Sequence, residues 1–464
     1  MILPCKGFDS LNITKRRATR KRAMSIRCAC IFLAAILFLS YPLQTFSYAI
    51  LAHQAIVDVV WESQLKPLLR KKFPHATEDE LNSAEAYAYG GSIIQDLGYY
   101  PHGSTLFSDL THYVRSGDFV VSMFRNSHDI YDYAFALGAL AHYATDIDGH
   151  HIATNRAVPL LYPKLEKKFG KEITYEDDPL AHAKTEFGFD VLQVARGHYA
   201  SQDFHDFIGF EVSQPLLDQA FQETYGLQLK DVLSDEDKAL NSYRYDVSKL
   251  IPKATRIAWS LKGQEIQKAE PGATHRKFIY NLSRADYQKE WGKDYAKPSF
   301  NDKFLAFLYK LLPKIGPLRV LQLKLPTPDT EKLFEASFNG ALDIYRGMLT
   351  ELATSDLSLP NTNLDVGQEL PPGKYWMADN ARARLLDELA KKNFQGITKE
   401  IRADLLTYLS APGLPSNLKK EEKLWVRVPA ELEQLRQYQI PPDHPPAKVA
   451  DNVPANSETT VSLR

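Results

Sequence analysis

Apolar residues recur three and four positions apart along most of the chain from residue 48 to about 265, the spacing of helices that bury one face. "HQAIVDVVWESQLKPLLRKKF" shows it first and ends in basic residues, which suits a helix C-terminus. "TEDELNSAEAYAYGGSIIQDLG" opens with Thr77 and Glu80 in capping-box spacing and predicts a helix closing near Gly98. "STLFSDLTHYVRSG", "SHDIYDYAFALGALAHYATDIDG", "DPLAHAKTEFGFDVLQVARGHY" and "SDEDKALNSYRYDVSKLIPKATRIAWSLKG" continue the pattern. No segment alternates as a strand between hairpin turns. The fold class this predicts is all-α, a multi-helix bundle.

Composition shifts at "KAEPGATHRKF". Beyond it, residues 275–435 carry further helical runs, among them "NDKFLAFLYKLL", "DTEKLFEASFNGALDIYRGMLTEL" and "MADNARARLLDELAKK". Loops rich in Pro, Asn and Gly separate them, as in "SLPNTNLDVGQELPPGKY". We therefore expect a helical domain over 48–265, a helical C-terminal extension over 275–435, and a disordered proline-rich tail over 436–464.

The formal net charge of −1 conceals an asymmetry. Residues 1–47 hold eight Lys or Arg and one acid, Asp9, so the remainder is acidic. This basic start precedes the apolar run "CACIFLAAILFLSY" and then "PLQTFS", the layout of a secretory signal. Thr45 and Ser47 fit the small-residue positions before a cut that leaves Tyr48 first; the alternative is an uncleaved N-terminal anchor. Either reading predicts an exported protein, periplasmic or extracellular. All three cysteines (Cys5, Cys28, Cys30) lie in this segment, so the rest of the chain has neither a disulfide framework nor a thiolate metal site.

Eleven of the 13 histidines fall between residues 53 and 205, which directs attention to that half. His142, Asp146 and His150 are spaced i, i+4, i+8 and share one helix face; His182 and Glu186 repeat the i, i+4 pairing on a later helix. Two helices that turn such pairs inward can build a metal site inside a bundle. Imidazole and carboxylate without thiolate suit zinc ahead of iron or manganese. A buried histidine bonded to a nearby acid is the bland reading of any one of these residues, but it does not readily account for both pairs. Asp148, His151, His75, His198 and His205 read as surface or supporting groups. His53, Asp96 and His112 are three further candidates.

Taken in order, Tyr48, His53, Asp96, His112, His142, Asp146, His150, His182 and Glu186 resemble the ligand series of the zinc-dependent phospholipases C and the related single-strand-specific zinc nucleases. The resemblance implies up to three zinc ions in a helical bundle. Asp96, His112, His142 and Asp146 would hold the first, and His150, His182 and Glu186 the second. The third would take His53, the second oxygen of Asp146, and the amine and carbonyl of Tyr48. It also implies hydrolysis of a phosphodiester by zinc-activated water, with Asp96 orienting or deprotonating that water. Three departures stand out. Tyr replaces the usual Trp at the new N-terminus. The next histidine follows the Asp by four residues instead of six, with His150 preferred to His151 because it keeps helical register. The region after 275 matches neither the minimal phospholipases nor their β-rich membrane-binding domain.

Phospholipid is the favoured substrate and implies contact with a membrane surface. The aromatics Tyr99, Tyr100, Phe107 and Tyr113 offer an apolar rim, with core packing the weightier reading of them. Nucleic acid is the second substrate class, although an acidic protein gives it little electrostatic help. Arg156 is the candidate phosphate contact in either case. A third reading is a zinc-stabilised helical scaffold without turnover, which would differ in lacking an open metal position.

Overall fold

The structure is a computed structural model; it describes residues 50–100, 102–196, 211–245, 259, 262–268, 270–272, 323–415 and 421–441. All regular elements among these residues are helices, and the one strand-like feature is an isolated bridge between Asn363 and Gln368. No described helix is long and apolar enough to cross a membrane. The segments read as signal and anchor, Tyr48, "NDKFLAFLYKLL" and residues 442–464 lie outside the described residues.

The chain enters through α1 (Ile50–Val60), which passes through a π-helical turn, Trp61–Leu65, into Lys66–Lys72. Pro67 lacks an N–H for the regular ladder, and the wider turn beside it keeps the helical run going. Next comes α2 (Glu78–Gly91), capped as its sequence predicts: the Thr77 side chain accepts from the Glu80 amide while Glu80 accepts from the Thr77 amide. This helix stops at Gly91, seven residues short of the expected Gly98, and a 3₁₀ segment, Ile94–Tyr99, follows. The Ser92 hydroxyl donates back to the Tyr89 carbonyl, a local bond that competes with the next helical turn.

The run expected as a helix over 104–117 ends early, as α3 (Thr105–Tyr113), and α4 (Ser116–Asn126), most of which lies beyond that run, follows. They are separated at Arg115, whose φ of 52° is left-handed and cannot continue a helix. α5 (Ile130–Asp148) is the axis of the molecule, buried along nearly its whole length and capped by Asp129, whose side chain accepts from the Tyr131 and Asp132 amides. A second π-helical turn, Gly149–Thr154, carries it into α6 (Asn155–Leu161). Then follow α7 (Pro179–Arg196), α8 (Gln214–Tyr225) and, in the extension, α9 (Pro328–Leu352), α10 (Trp376–Lys391), α11 (Lys399–Leu409) and α12 (Val428–Gln437). The last of these runs into the segment expected to be disordered from 436.

α2 and α5 touch backbone to backbone. A Cβ on Gly138 would stand 2.7 Å from the Ser92 nitrogen, and one on Gly91 2.9 Å from the Ala139 nitrogen, so only glycine permits this approach. The extension does not stand apart from the bundle. One apolar core runs from Ile56 through Leu137 and Tyr345 to Leu435, and the Tyr345 hydroxyl in α9 donates to the Leu137 carbonyl in α5 at 2.8 Å. Residues 357–368 lie across the bundle as a strap. Tyr143 Oη donates to the Pro360 carbonyl (2.6 Å), Ser116 Oγ to the Thr362 carbonyl (2.5 Å), and the Leu364 amide to the His112 carbonyl (3.1 Å).

Candidate metal centre

Six helical segments of the bundle supply side chains to one place at the C-terminal end of α5. His53 comes from α1, Asp96 from the 3₁₀ segment, His112 from α3, and His142 and Asp146 from α5 itself. His150 sits in the π-helical turn, the kind of helix irregularity that often marks functional sites. His182 and Glu186 come from α7. All eight side chains are buried.

The first group is tight. His112 Nε2 lies 3.3 Å from Asp96 Oδ1, 3.4 Å from Asp146 Oδ2 and 3.3 Å from His142 Nε2; His142 Nε2 lies 3.1 Å from Asp146 Oδ2. Donors sharing one ion through bonds of about 2.0–2.1 Å in a tetrahedral shell stand roughly 3.3 Å apart. The observed separations match that edge. Backbone carbonyls aim both rings: His142 Nδ1 is 2.9 Å from the Ser92 carbonyl oxygen and His112 Nδ1 is 2.8 Å from that of Ser108, so each Nε2 turns to the centre.

Asp146 joins the groups. Its Oδ2 serves the first, while Oδ1 is 3.4 Å from His53 Nε2 and 3.4 Å from His150 Nε2. The His53 ring stacks on His142, with centroids 4.3 Å apart. In the second group, His150 Nδ1 is 3.4 Å from Glu186 Oε1 and 3.4 Å from His182 Nε2, and His182 Nδ1 is 2.9 Å from Glu186 Oε1. Three sets thus have donor atoms close enough to hold one ion each: His53, His142 and Asp146; Asp96, His112 and His142; His150, His182 and Glu186.

Without a cation this much buried charge is poorly matched. Both carboxylate oxygens of Asp96, Asp146 and Glu186 are buried and accept no hydrogen bond of ordinary geometry, an arrangement that proteins otherwise avoid. The donors converge on shared points instead of on one another, and a divalent cation satisfies such an arrangement. The protonation states agree. Burial works to lower His112, but the close carboxylates of Asp146 and Asp96 outweigh it and lift its pKa to about 10. Burial likewise opposes His182, which Glu186 and Asp365 raise to about 10. His53 falls to about 3 through burial and the neighbouring His142. Burial tends to raise Asp146, yet His142, His150 and His112 hold it well below the carboxylate range. Protons on imidazole thus stand where a cation would stand, and metal binding displaces them. The residues present fit zinc.

Other candidates go elsewhere. His151 is half-buried beside Gly367, outside the three groups, whereas its neighbour His150 faces in. His75 is exposed, Asp148 is half-buried, and His198 and His205 lie outside the described residues. Arg156 does not join the centre: Nε lies 3.5 Å from Glu172 Oε1 near the surface, while the adjacent Asn155 turns inward, its Oδ1 2.8 Å from His182 Nε2. Tyr99, Tyr100, Phe107 and Tyr113 are buried and form no lipid-facing rim; helix packing accounts for them. Two of them wall the centre, Tyr99 beside His112 and Tyr113 against Tyr375, and burial raises both phenols well above their ordinary range.

The contribution of the extension could not be foreseen from the sequence. Asp365, in the strap, is buried with Oδ1 3.5 Å from His182 Nε2 and 3.7 Å from His150 Nδ1. It stands in "NTNLDVGQ", a loop with no periodicity to assign a facing direction, far along the chain from its neighbours at the centre.

Compared with known proteins, residues 52–235 match the family model described as "Zinc dependent phospholipase C". The matched segment holds all eight described candidate ligands and ends well before the extension. Neither the curated proteins nor the solved structures give a match.

Proposed function

Because residues 52–235 match the family model of the zinc-dependent phospholipases C, we propose that this protein is an exported zinc-dependent phosphodiesterase acting on phospholipid. The observation that carries this reading is the carboxylate of Asp146, whose two oxygens each face a different set of imidazoles and so link adjacent donor groups.

Zinc, when bound, polarises a phosphoryl oxygen and makes nearby water acidic enough to attack at neutral pH. The chain's own groups do the rest. The 3₁₀ segment holds Asp96 at the edge of the first group, where its carboxylate takes the proton that water loses as the new P–O bond forms. The ester P–O bond on the opposite side breaks, and the leaving alcohol oxygen takes up the proton that Asp96 accepted; the products are an alcohol and a phosphomonoester. Tyr99 and Tyr113 remain protonated and present a wall that keeps bulk water from the centre, where a low dielectric strengthens each charge interaction. The eight ligands are buried in this structure.

A zinc-stabilised scaffold without turnover is the second reading, and this burial favours it. The test is metal content by mass spectrometry and N-terminal sequencing of the exported protein, then hydrolysis of phosphatidylcholine vesicles and of a chromogenic phosphodiester. Two to three zinc per chain, Tyr48 first, and a zinc-dependent hydrolysis lost in Asp96→Asn support the enzyme. A zinc-loaded chain that cleaves neither substrate leaves the scaffold; cleavage of single-stranded nucleic acid alone moves the substrate to that class.

A further inference from the structure

We propose that Asp365, supplied by the extension, is a ligand of the metal that His150, His182 and Glu186 hold. The inference rests on the metal-centre reading above and adds a donor from outside the family-matched segment.

The two oxygens of Asp365 have different surroundings. Oδ2 accepts from the Tyr375 hydroxyl at 2.7 Å and from the Tyr175 amide at 2.9 Å, which fixes the plane of the carboxylate. Oδ1 is buried, accepts no hydrogen bond, and points between two imidazoles at 3.5 and 3.7 Å. Asn155 Oδ1 accepts from His182 Nε2 at 2.8 Å, which leaves Nδ1, 2.9 Å from Glu186 Oε1, as the metal donor of that ring. His150 Nδ1 is the common neighbour, at 3.4 Å from Glu186 Oε1 and 3.7 Å from Asp365 Oδ1; the latter separation exceeds the roughly 2.7–2.9 Å of a charge-assisted hydrogen bond and lies nearer the roughly 3.3 Å edge of a shared coordination shell.

The backbone around Asp365 is held as firmly as its side chain. Asn155 Nδ2 donates to the Asp365 carbonyl at 2.7 Å while Asn155 Oδ1 holds the His182 ring, so one side chain sets the strap and the imidazole relative to each other. The Asp365 amide donates to Asn363 Oδ1 at 3.1 Å. Support of this kind, from groups that orient the donors, is what a metal ligand requires. With Asp365 the second group has four protein donors, the pattern of a metal that holds structure, and the metal tethers the extension across the bundle.

The test uses the full chain. Zn2+ and Co2+ are titrated into metal-free protein, with stoichiometry by mass spectrometry, affinity by chelator competition and the ligand field by visible absorption of the Co2+ form. Asp365→Ala is expected to weaken one of the bound metals at least tenfold and to change the Co2+ spectrum; His182→Ala loses that same metal. Asp365→Asn, which keeps the side chain's shape should the alanine variant fold poorly, is expected to show the same weakened metal. Wild-type affinity and an unchanged spectrum in both Asp365 variants, with one metal lost in His182→Ala, overturns this inference alone. Full metal content in His182→Ala overturns the metal-centre reading and this inference with it.

Discussion

Gly138→Ala probes the contact that sets the depth of the centre. The new methyl would stand 2.7 Å from the Ser92 nitrogen and closer still to the Ala88 carbonyl oxygen, inside the 3.0 Å that real Cβ contacts respect. Both neighbours are backbone, so no side chain can rotate away and α5 must move off α2. Overpacking of this kind costs about 1–3 kcal/mol. Replacing glycine within a helix returns about 1 kcal/mol of propensity. The expected net loss is up to about 2 kcal/mol, read as a lower urea midpoint at unchanged slope. The movement also pulls His142 from the Ser92 carbonyl that orients its ring, so zinc affinity falls together with stability. Gly347→Ala is the internal control. That glycine lies in α9, is exposed, and has nothing within 4 Å of the point a new methyl would occupy, so the same substitution should stabilise by about 0.5–1 kcal/mol. Equal midpoints for the two variants, or a Gly138→Ala protein at least as stable as wild type, refute the packing argument.

Three further outcomes are expected. Burial raises the Glu176 carboxyl to about 7 against the pull of the Met377 and Trp376 amides; the folded chain therefore binds a proton that the unfolded chain releases near 4.5, and stability falls as pH rises between those values. Glu176→Gln should lose less stability than wild type between pH 5 and 8 in denaturant titrations, and parallel profiles would refute this. Tyr143→Phe removes the hydroxyl that binds Pro360 and Thr362, at about 1 kcal/mol; hydrogen exchange at the Leu364 amide should quicken, and unchanged exchange would show that the strap is held elsewhere. Stripping zinc with a chelator should lower the melting temperature and re-addition should restore it, because the ion binds the folded chain; a melting temperature indifferent to zinc counts against the centre.

How much of the molecule was legible in advance differs from element to element. The Thr77–Glu80 cap, the long buried helix around "YAFALGALA" and the i, i+4 pairs His142–Asp146 and His182–Glu186 could be read directly, because each depends on contacts within one or two helical turns. The breaks at Gly91 and Arg115 could not, because a Ser92 back-bond and a single left-handed φ decide them and leave no mark on the periodicity. The choice of His150 as the inward neighbour of Asp146 was available from helical register, although the π-helical turn that carries it was not.

By itself, then, the order of residues determined that the described chain is helical, where the helix after Thr77 begins, and which side chains are chemically able to bind metal. Tertiary structure alone decided that Arg156 turns toward Glu172, that the tyrosines pack inside, and that Asp365 reaches His150 and His182 from the far end of the chain. The physical reason is range. Helix periodicity and capping are written within a few residues, whereas a loop aspartate has no preferred direction until the core shared by bundle and extension has placed its backbone.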